Sequence, residues 1–157
     1  MKRRKFLSSI AAGPVALEFG LDDAFAQEPP GSVYIPQAQL VEDRQVMQDF
    51  MDEFSFAMLI TAAPDIRITH IPVLFDRQGG PYGRLTAHLS ANNPQQKLLD
   101  GKTQAVVVFR GPHRYISPTW YRRSPAVPTW NFAVVHASGR PKANLDRKFT
   151  TLSLIHI

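Results

Sequence analysis

Residues 56–89 read FAMLITAAPDIRITHIPVLFDRQGGPYGRLTAHL, and the punctuation of this stretch decides the fold class. Phe56 to Thr61, Arg67 to Phe75 and Gly83 to Leu89 are short runs rich in Ile, Leu, Val, Thr and Phe. Pro64-Asp65 and Gln78-Gly79-Gly80-Pro81 cut them apart. Short apolar runs with β-favouring side chains between turn residues predict strands. Outward from this stretch, Ala105 to Phe109 and Asn131 to Ala137 read as further strands, with Gly101-Lys102 marking the turn before the first of them. Glu42 to Phe54 is different, because Val46, Met47, Phe50, Met51 and Phe54 recur at helical spacing and Asp43 stands where its charge suits the helix dipole. Asn93-Pro94 opens a short helix through Leu99, with Asn at the cap and Pro in the first turn. The expectation is a mainly β (α+β) domain, a small antiparallel barrel with peripheral helices, since closure removes sheet edges.

The stretch Tyr115 to Gly139, YISPTWYRRSPAVPTWNFAVVHASG, holds both tryptophans of the chain, Trp120 and Trp130, among Pro-rich turns. An aromatic on a Pro-fixed corner can wall a pocket for a flat ligand at low entropic cost. The plainer alternative is a Trp pair that plugs a barrel end.

Both ends of the chain differ in character from this middle. Lys2-Arg3-Arg4-Lys5-Phe6-Leu7, a mildly apolar run from Ser9 to Leu21 and the small-x-small Ala24-Phe25-Ala26 form a secretory signal over residues 1–26. Adjacent Arg3-Arg4 and a weak apolar region broken by Gly13, Pro14 and Glu18 resemble a twin-arginine signal, which implies export by that machinery to the periplasm or beyond. The run is too short and interrupted for a stable membrane anchor. A basic N-terminal arm on a cytoplasmic protein is the alternative. Residues 27–32 make a Pro/Gly-rich leader. At the other end, Asn144 to Phe149 is helix-like, and Leu152 to Ile157 matches one frame of a transposon-derived sequencing adaptor. The domain is therefore expected over residues 33–151, incomplete at its C-terminus, with 152–157 an artefact and His156 without a role. If native, that hexapeptide is a short edge strand.

Four of the 18 Lys and Arg and three of the 13 Asp and Glu fall in residues 1–26, leaving 14 and 10, or +4, for the remainder. Adjacent basic residues there are confined to two isolated pairs, Arg122-Arg123 and Arg147-Lys148, so the charge suits a small anionic ligand and gives no support for direct DNA binding. With no Cys, disulfides, zinc-thiolate centres and thiol nucleophiles are excluded. About 125 residues suffice for one core that buries about two-thirds of the unfolded surface.

Tyr34-Ile35-Pro36, Thr69-His70-Ile71-Pro72, Ala87-His88-Leu89 with Asn93-Pro94, Phe109-x-Gly111-Pro112-His113, Tyr115-Ile116-Ser117-Pro118-x-Trp120-Tyr121 and Val127-Pro128-Thr129-Trp130-Asn131-Phe132 occur in this order. Together they resemble the PaiB-type family of FMN-binding negative transcriptional regulators over about Val33 to Lys148. The resemblance implies a split β-barrel of the pyridoxamine-phosphate-oxidase type and a homodimer with FMN at the subunit interface. Relatives usually carry a basic residue in the turn before the Asn-Pro pair, where this chain has Ser90-Ala91-Asn92. The family's C-terminal strands and helices have no counterpart in this sequence.

An FMN site needs donors for a dianionic phosphate and a flat slot with polar groups at its pyrimidine edge. The resemblance implies that Thr69, His70, Ile71 and Pro72 line the slot through side chain and backbone, that His88, Ser90, Asn92 and Asn93 gather donors around the phosphate with charge added by Lys97, and that Ser117, Trp120, Thr129, Trp130 and Asn131 cap the ring from the partner subunit. Plainer readings stand beside these. His70 and His88 can be hydrogen-bonded barrel residues, Asn93 a helix cap, Lys97 a solvated side chain, and His113 and His136 structural. The four histidines, at spacings of 18, 25 and 23, match no metal-ligand signature. No nucleophile elbow, paired carboxylates or His-Glu motif is present, so any redox chemistry is the flavin's. Three functions follow: an exported FMN protein, a flavin-dependent oxidoreductase of unassigned substrate; a cytoplasmic FMN-binding repressor; and a cofactor-free dimeric structural module.

Overall fold

The computed structural model describes residues 14–20, 34–62 and 64–144, and the side chains of the last two stretches. The helix-like segment after Asn144, the adaptor-like hexapeptide, Arg3-Arg4 and the cleavage site lie outside the described residues. The chain order is β1 (Pro14–Gly20), α1 (Arg44–Glu53), β2 (Phe56–Thr61), β3 (Arg67–Asp76), β4 (Arg84–Ser90), β5 (Ala105–Ile116), β6 (Thr129–Gly139) and β7 (Lys142–Asn144). Short 3-10 turns occupy Gln37–Gln39, Pro94–Leu98 and Pro118–Trp120. No described helix is long and apolar enough to cross a membrane.

Every ladder is antiparallel, and the sheet order is β6-β5-β2-β3-β4-β1-β7. The mainly β split barrel with a peripheral helix is thus present, but its sheet is not closed. Among the described residues no ladder joins the end strands β6 and β7, and within the sheet the β3–β4 ladder is short, joining only Val73–Asp76 to Arg84–Ala87. Beyond it, residues 67–72 of β3 follow β2, while 88–90 of β4 follow β1. The strands part there, and this split is the feature that shapes the candidate site.

Strand alternation builds the core. Ala57, Leu59 and Thr61 of β2, Ile71 and Val73 of β3, Leu85, Ala87 and Leu89 of β4, Ala105, Val107 and Phe109 of β5 and Ala137 of β6 are all buried. Met51 and Phe50 of α1 and Leu99 close this core. Asp43 caps α1 by accepting from the N–H of Gln45 (2.8 Å), and Arg77 clamps the helix to the β3–β4 turn through Asp49 (2.7 Å) and Asp52 (Nε, 3.0 Å). Gly83 has φ +95, and a Cβ there would lie 2.3 Å from the Phe75 ring, so this turn requires glycine.

Two element readings change. β5 and β6 run well past the barrel, pairing Arg110 through Ile116 with Val134 through Thr129 across a register shift between Arg110 and His113. A bulge of this kind bends and twists a strand. Gly111 sits in it, and a Cβ there would come within 2.7 Å of the Phe50 ring. Trp130 therefore stands on a strand and Trp120 in a 3-10 turn, where the sequence suggested Pro-rich loops for both. At the other end, Pro14–Gly20, within the stretch expected to be a signal peptide, pairs between β4 and β7.

Candidate functional site

The predicted residues fall into three groups. The first is a satisfied network beneath the barrel end. The 3-10 turn Pro94–Leu98 begins where Asn93 Oδ1 accepts from the N–H of Gln95 (2.9 Å). Asn93 Nδ2 donates to Thr69 Oγ1 (2.9 Å), whose hydroxyl donates to Gln95 Oε1 (2.5 Å). Gln95, 1% exposed, donates through Nε2 to Thr61 Oγ1 (3.2 Å) and to the carbonyls of Arg67 (3.2 Å) and Leu59 (3.3 Å). A buried amide is tolerated only when its donors and acceptors are met, and here they are. Asn93 and Thr69 thus turn their polar atoms inward. Gln95, the hub, was not singled out by the sequence, since a Gln just after an Asn-Pro cap looks like a surface turn residue.

The second group borders the split. The period of two separates the side chains of Thr69-His70-Ile71-Pro72 into two faces, so a slot on either face would meet two of them through side chains and the others through backbone. Thr69 and Ile71 stand opposite Leu59 and Ala57 on the core side, whereas His70 and Pro72 stand opposite Met58 and Phe56 on the outer face. The rings of His70 and Phe56 lie stacked at 6.4 Å. Across the split, His88 carries a buried Nδ1 with no hydrogen-bond partner. Ser90 and Asn92 are exposed at the strand's end, where the Ser90 hydroxyl accepts from the N–H of Asn92 (3.2 Å), and Lys97 is exposed on the following turn.

The third group is the β5–β6 ribbon. Trp130 lies against Tyr115, its cross-strand partner (5.8 Å, edge-on), and against His113 (5.7 Å). Period two along β5 is the signal that could have joined His113 and Tyr115 to this cluster. Ser117 caps the turn Pro118–Trp120 by accepting from the N–H of Thr119 (3.3 Å). Trp120 and Trp130 remain 63% and 56% exposed, and Thr129 and Asn131 are exposed beside them.

The outer sheet face extends this apolar surface. Cross-strand partners place His70, Met58, Val108 and His136 in one row and Ile68, Ile60, Val106 and Ser138 in the next. Phe56, Ile68 and Phe132 are 68%, 54% and 70% exposed. Among the described residues no group of three or more His, Cys, Asp or Glu is placed to hold a metal ion.

An orphaned imidazole nitrogen on the strand that ends in the exposed Ser90 hydroxyl, followed in the chain by the exposed Asn92 amide and Lys97 ammonium, suits an anionic phosphate, and half-exposed indoles suit a flat ring. The residues present therefore fit FMN. Comparison with known proteins agrees. A family model described as "Putative FMN-binding domain" matches residues 33–156. Protease synthase and sporulation protein PAI 2 of Bacillus subtilis is 36% identical over 109 residues, covering 69% of this chain and 52% of that protein. The Saccharomyces cerevisiae protein YKL070W is 33% identical over 91 residues, covering 55% and 54%, and an Aspergillus fumigatus protein is 29% identical over 139 residues, covering 66% and 53%. The chain spans about half the length of the relatives it matches. By the family match this chain belongs to the FMN-binding domain family, and FMN is its cofactor.

Proposed function

We propose that this chain binds FMN as a homodimer, with the flavin phosphate at the split of one protomer and the isoalloxazine under the β5–β6 ribbon of the other. The observation that carries this reading is the ribbon itself, which holds Trp120, Trp130 and Phe132 beyond the barrel, each more than half exposed. Large aromatics are rarely left so open without an occupant. The outer face with Phe56 and Ile68 is the matching surface for a second copy. At the split, His88 Nδ1, the Ser90 hydroxyl, the Asn92 amide and Lys97 would hold the phosphate. Asn93 contributes by fixing the turn that carries them. Thr129, Asn131 and Ser117 would meet the ring edge beside the indoles. When bound, FMN supplies electron transfer at its ring, and the protein supplies orientation and water exclusion.

The twin-arginine-like Arg3-Arg4 supports an exported flavoprotein, and an oxidoreductase role is the finer form of that proposal. A second reading, a flavin-linked regulator in the cytoplasm, is favoured by the identity to a Bacillus protein whose name ties it to protease synthase and sporulation.

Flavin fluorescence titration, run with sedimentation of the same samples, tests the site. FMN should bind more tightly than riboflavin and should do so to a dimer. Equal affinity for the two flavins would remove the phosphate assignment, and FMN binding to a strict monomer would remove the partner's ribbon. Fusion of residues 1–32 to a reporter that folds before export separates the two functional readings. Arg3-Arg4 changed to Lys-Lys should block its export, and a wholly cytoplasmic fusion would favour the regulator.

A further inference from the structure

Pro14–Gly20 enters the sheet in a way that the flavin site does not explain. Seven of its positions oppose β4, from Pro14↔Ser90 to Gly20↔Arg84, and Ala16 to Glu18 also oppose Asn144 to Lys142 of β7. Both walls of this position are fixed without it. β4 is held by its ladder to β3 and by the buried Leu85, Ala87 and Leu89. β7 is tied elsewhere, through the Asp100↔Lys142 bridge, Ala143 N–H to Leu99 O (2.8 Å) and the neighbouring Gly101 N–H to Pro141 O (2.9 Å). Two anchored strand edges on either side of one strand make a place that accepts main chain, in the manner of β-strand addition.

We propose that the facing edges of β4 and β7 form a strand-acceptor slot and that Pro14–Gly20, from the apolar run of the expected signal peptide, is its removable occupant. PVALEFG carries one charge and little intrinsic strand preference, so main-chain hydrogen bonds to two edges give it its affinity. The same seven residues cannot be paired in the slot and engaged as a signal. Seating them conceals the signal in the folded chain. Removing the signal peptide exposes the whole edge of β4, including 88–90, whose described ladder is with β1 alone. The slot rests on strand register and stands apart from the FMN reading, while the removal rests on the signal-peptide reading.

The chain contains no cysteine, so an introduced pair can bridge only to itself. In the full chain, Glu18→Cys/Thr86→Cys joins directly opposed positions, whereas Glu18→Cys/Leu74→Cys joins positions two strands apart, because Leu74 opposes Thr86 from the other side. Two strand spacings are about 9.5 Å, beyond the reach of a disulfide. With oxidised glutathione the first pair should close at least about ten times faster than the second. Equal rates would overturn the register. For removal, a protease site is placed within residues 27–32, and a fluorescent peptide of the sequence PVALEFG is titrated onto cut and uncut chain. The peptide should bind the cut chain and not the uncut one. Equal binding to both, or none to the cut chain in excess peptide, would overturn the exchange. Flavin titration of the same variants reads the FMN site separately.

Discussion

The turn around Asn93 and the ribbon around Trp130 both look from the sequence like parts of one ligand pocket, yet the fold treats them in opposite ways. Asn93, Thr69 and Gln95 exchange hydrogen bonds under the barrel end, with Gln95 1% exposed. Trp120 and Trp130 hold to the chain through a ribbon whose rings mostly face outward. The difference shows that polar residues near a cleft can serve the fold, while the proposal assigns the exposed aromatics to the ligand. Substitution should therefore separate stability from binding.

The largest effect belongs to the network. Gln95→Ala removes the partner of Thr61, Thr69 and two carbonyls at once and leaves a void, so unfolding free energy should fall by about 2–4 kcal/mol. Asn93→Ala, which loses a cap and one side-chain bond, should cost about 1–2 kcal/mol. Denaturant unfolding checks both. If Asn93→Ala left stability unchanged and lowered FMN affinity alone, the assignment of Asn93 to the folded-in region would fail.

The ribbon should behave in reverse. Trp130→Ala should leave unfolding within about 0.5 kcal/mol of the parent, since the ring is more than half exposed, yet weaken FMN by about 1–2 kcal/mol, or about 5- to 30-fold. A variant that unfolds early but binds flavin normally would make Trp130 a packing residue. His88 sharpens the boundary between the regions, because it belongs to a strand but holds an orphaned nitrogen. His88→Ala should weaken FMN by about 10-fold and riboflavin hardly at all, as expected for loss of one charge-assisted bond to phosphate. Equal losses for both flavins would place His88 at the ring.

Much of the barrel was legible because its signals are local. FAMLIT is recovered as β2 with the same bounds, α1 starts two residues later than the expected Glu42 with Asp43 as its cap, and Asn93 caps the Pro94–Leu98 segment as expected although it is a 3-10 turn. The ribbon was legible only in part, since the bulge at Gly111 depends on the Phe50 ring, a contact between residues distant in sequence. Motif reading placed Thr69, His70, Ile71 and Pro72 together, and alternation along a strand then divided them between two faces. Gln95 gave no signal at all, because burial of a polar side chain is decided by the strands that converge on it. The strand at Pro14–Gly20 was unreadable for a related reason: its apolar residues serve equally well in a signal peptide and as a strand between two open edges.

The smallest effect concerns the exposed clamp that joins α1 to the β3–β4 turn, a third kind of contact that is neither buried network nor open ribbon. The Arg77 guanidinium hydrogen-bonded to Asp49 holds that carboxyl below its ordinary value of 3.8, and Asp49 with Asp52 raises Arg77 in return. A carboxylate whose folded value is depressed adds stability that is complete above its unfolded value and is lost as pH falls through the folded one. The clamp's contribution should therefore be present at neutral pH and fade below about pH 4. Because the pair is solvent-exposed, salt should shrink it as well. Arg77→Ala should lower the melting temperature slightly at pH 7 and less at pH 2, with FMN affinity unchanged at pH 7. Paired thermal scans at the two pH values read this directly. An equal loss at both would mean that the Arg77 stem, packed between helix and turn, matters and its charge does not.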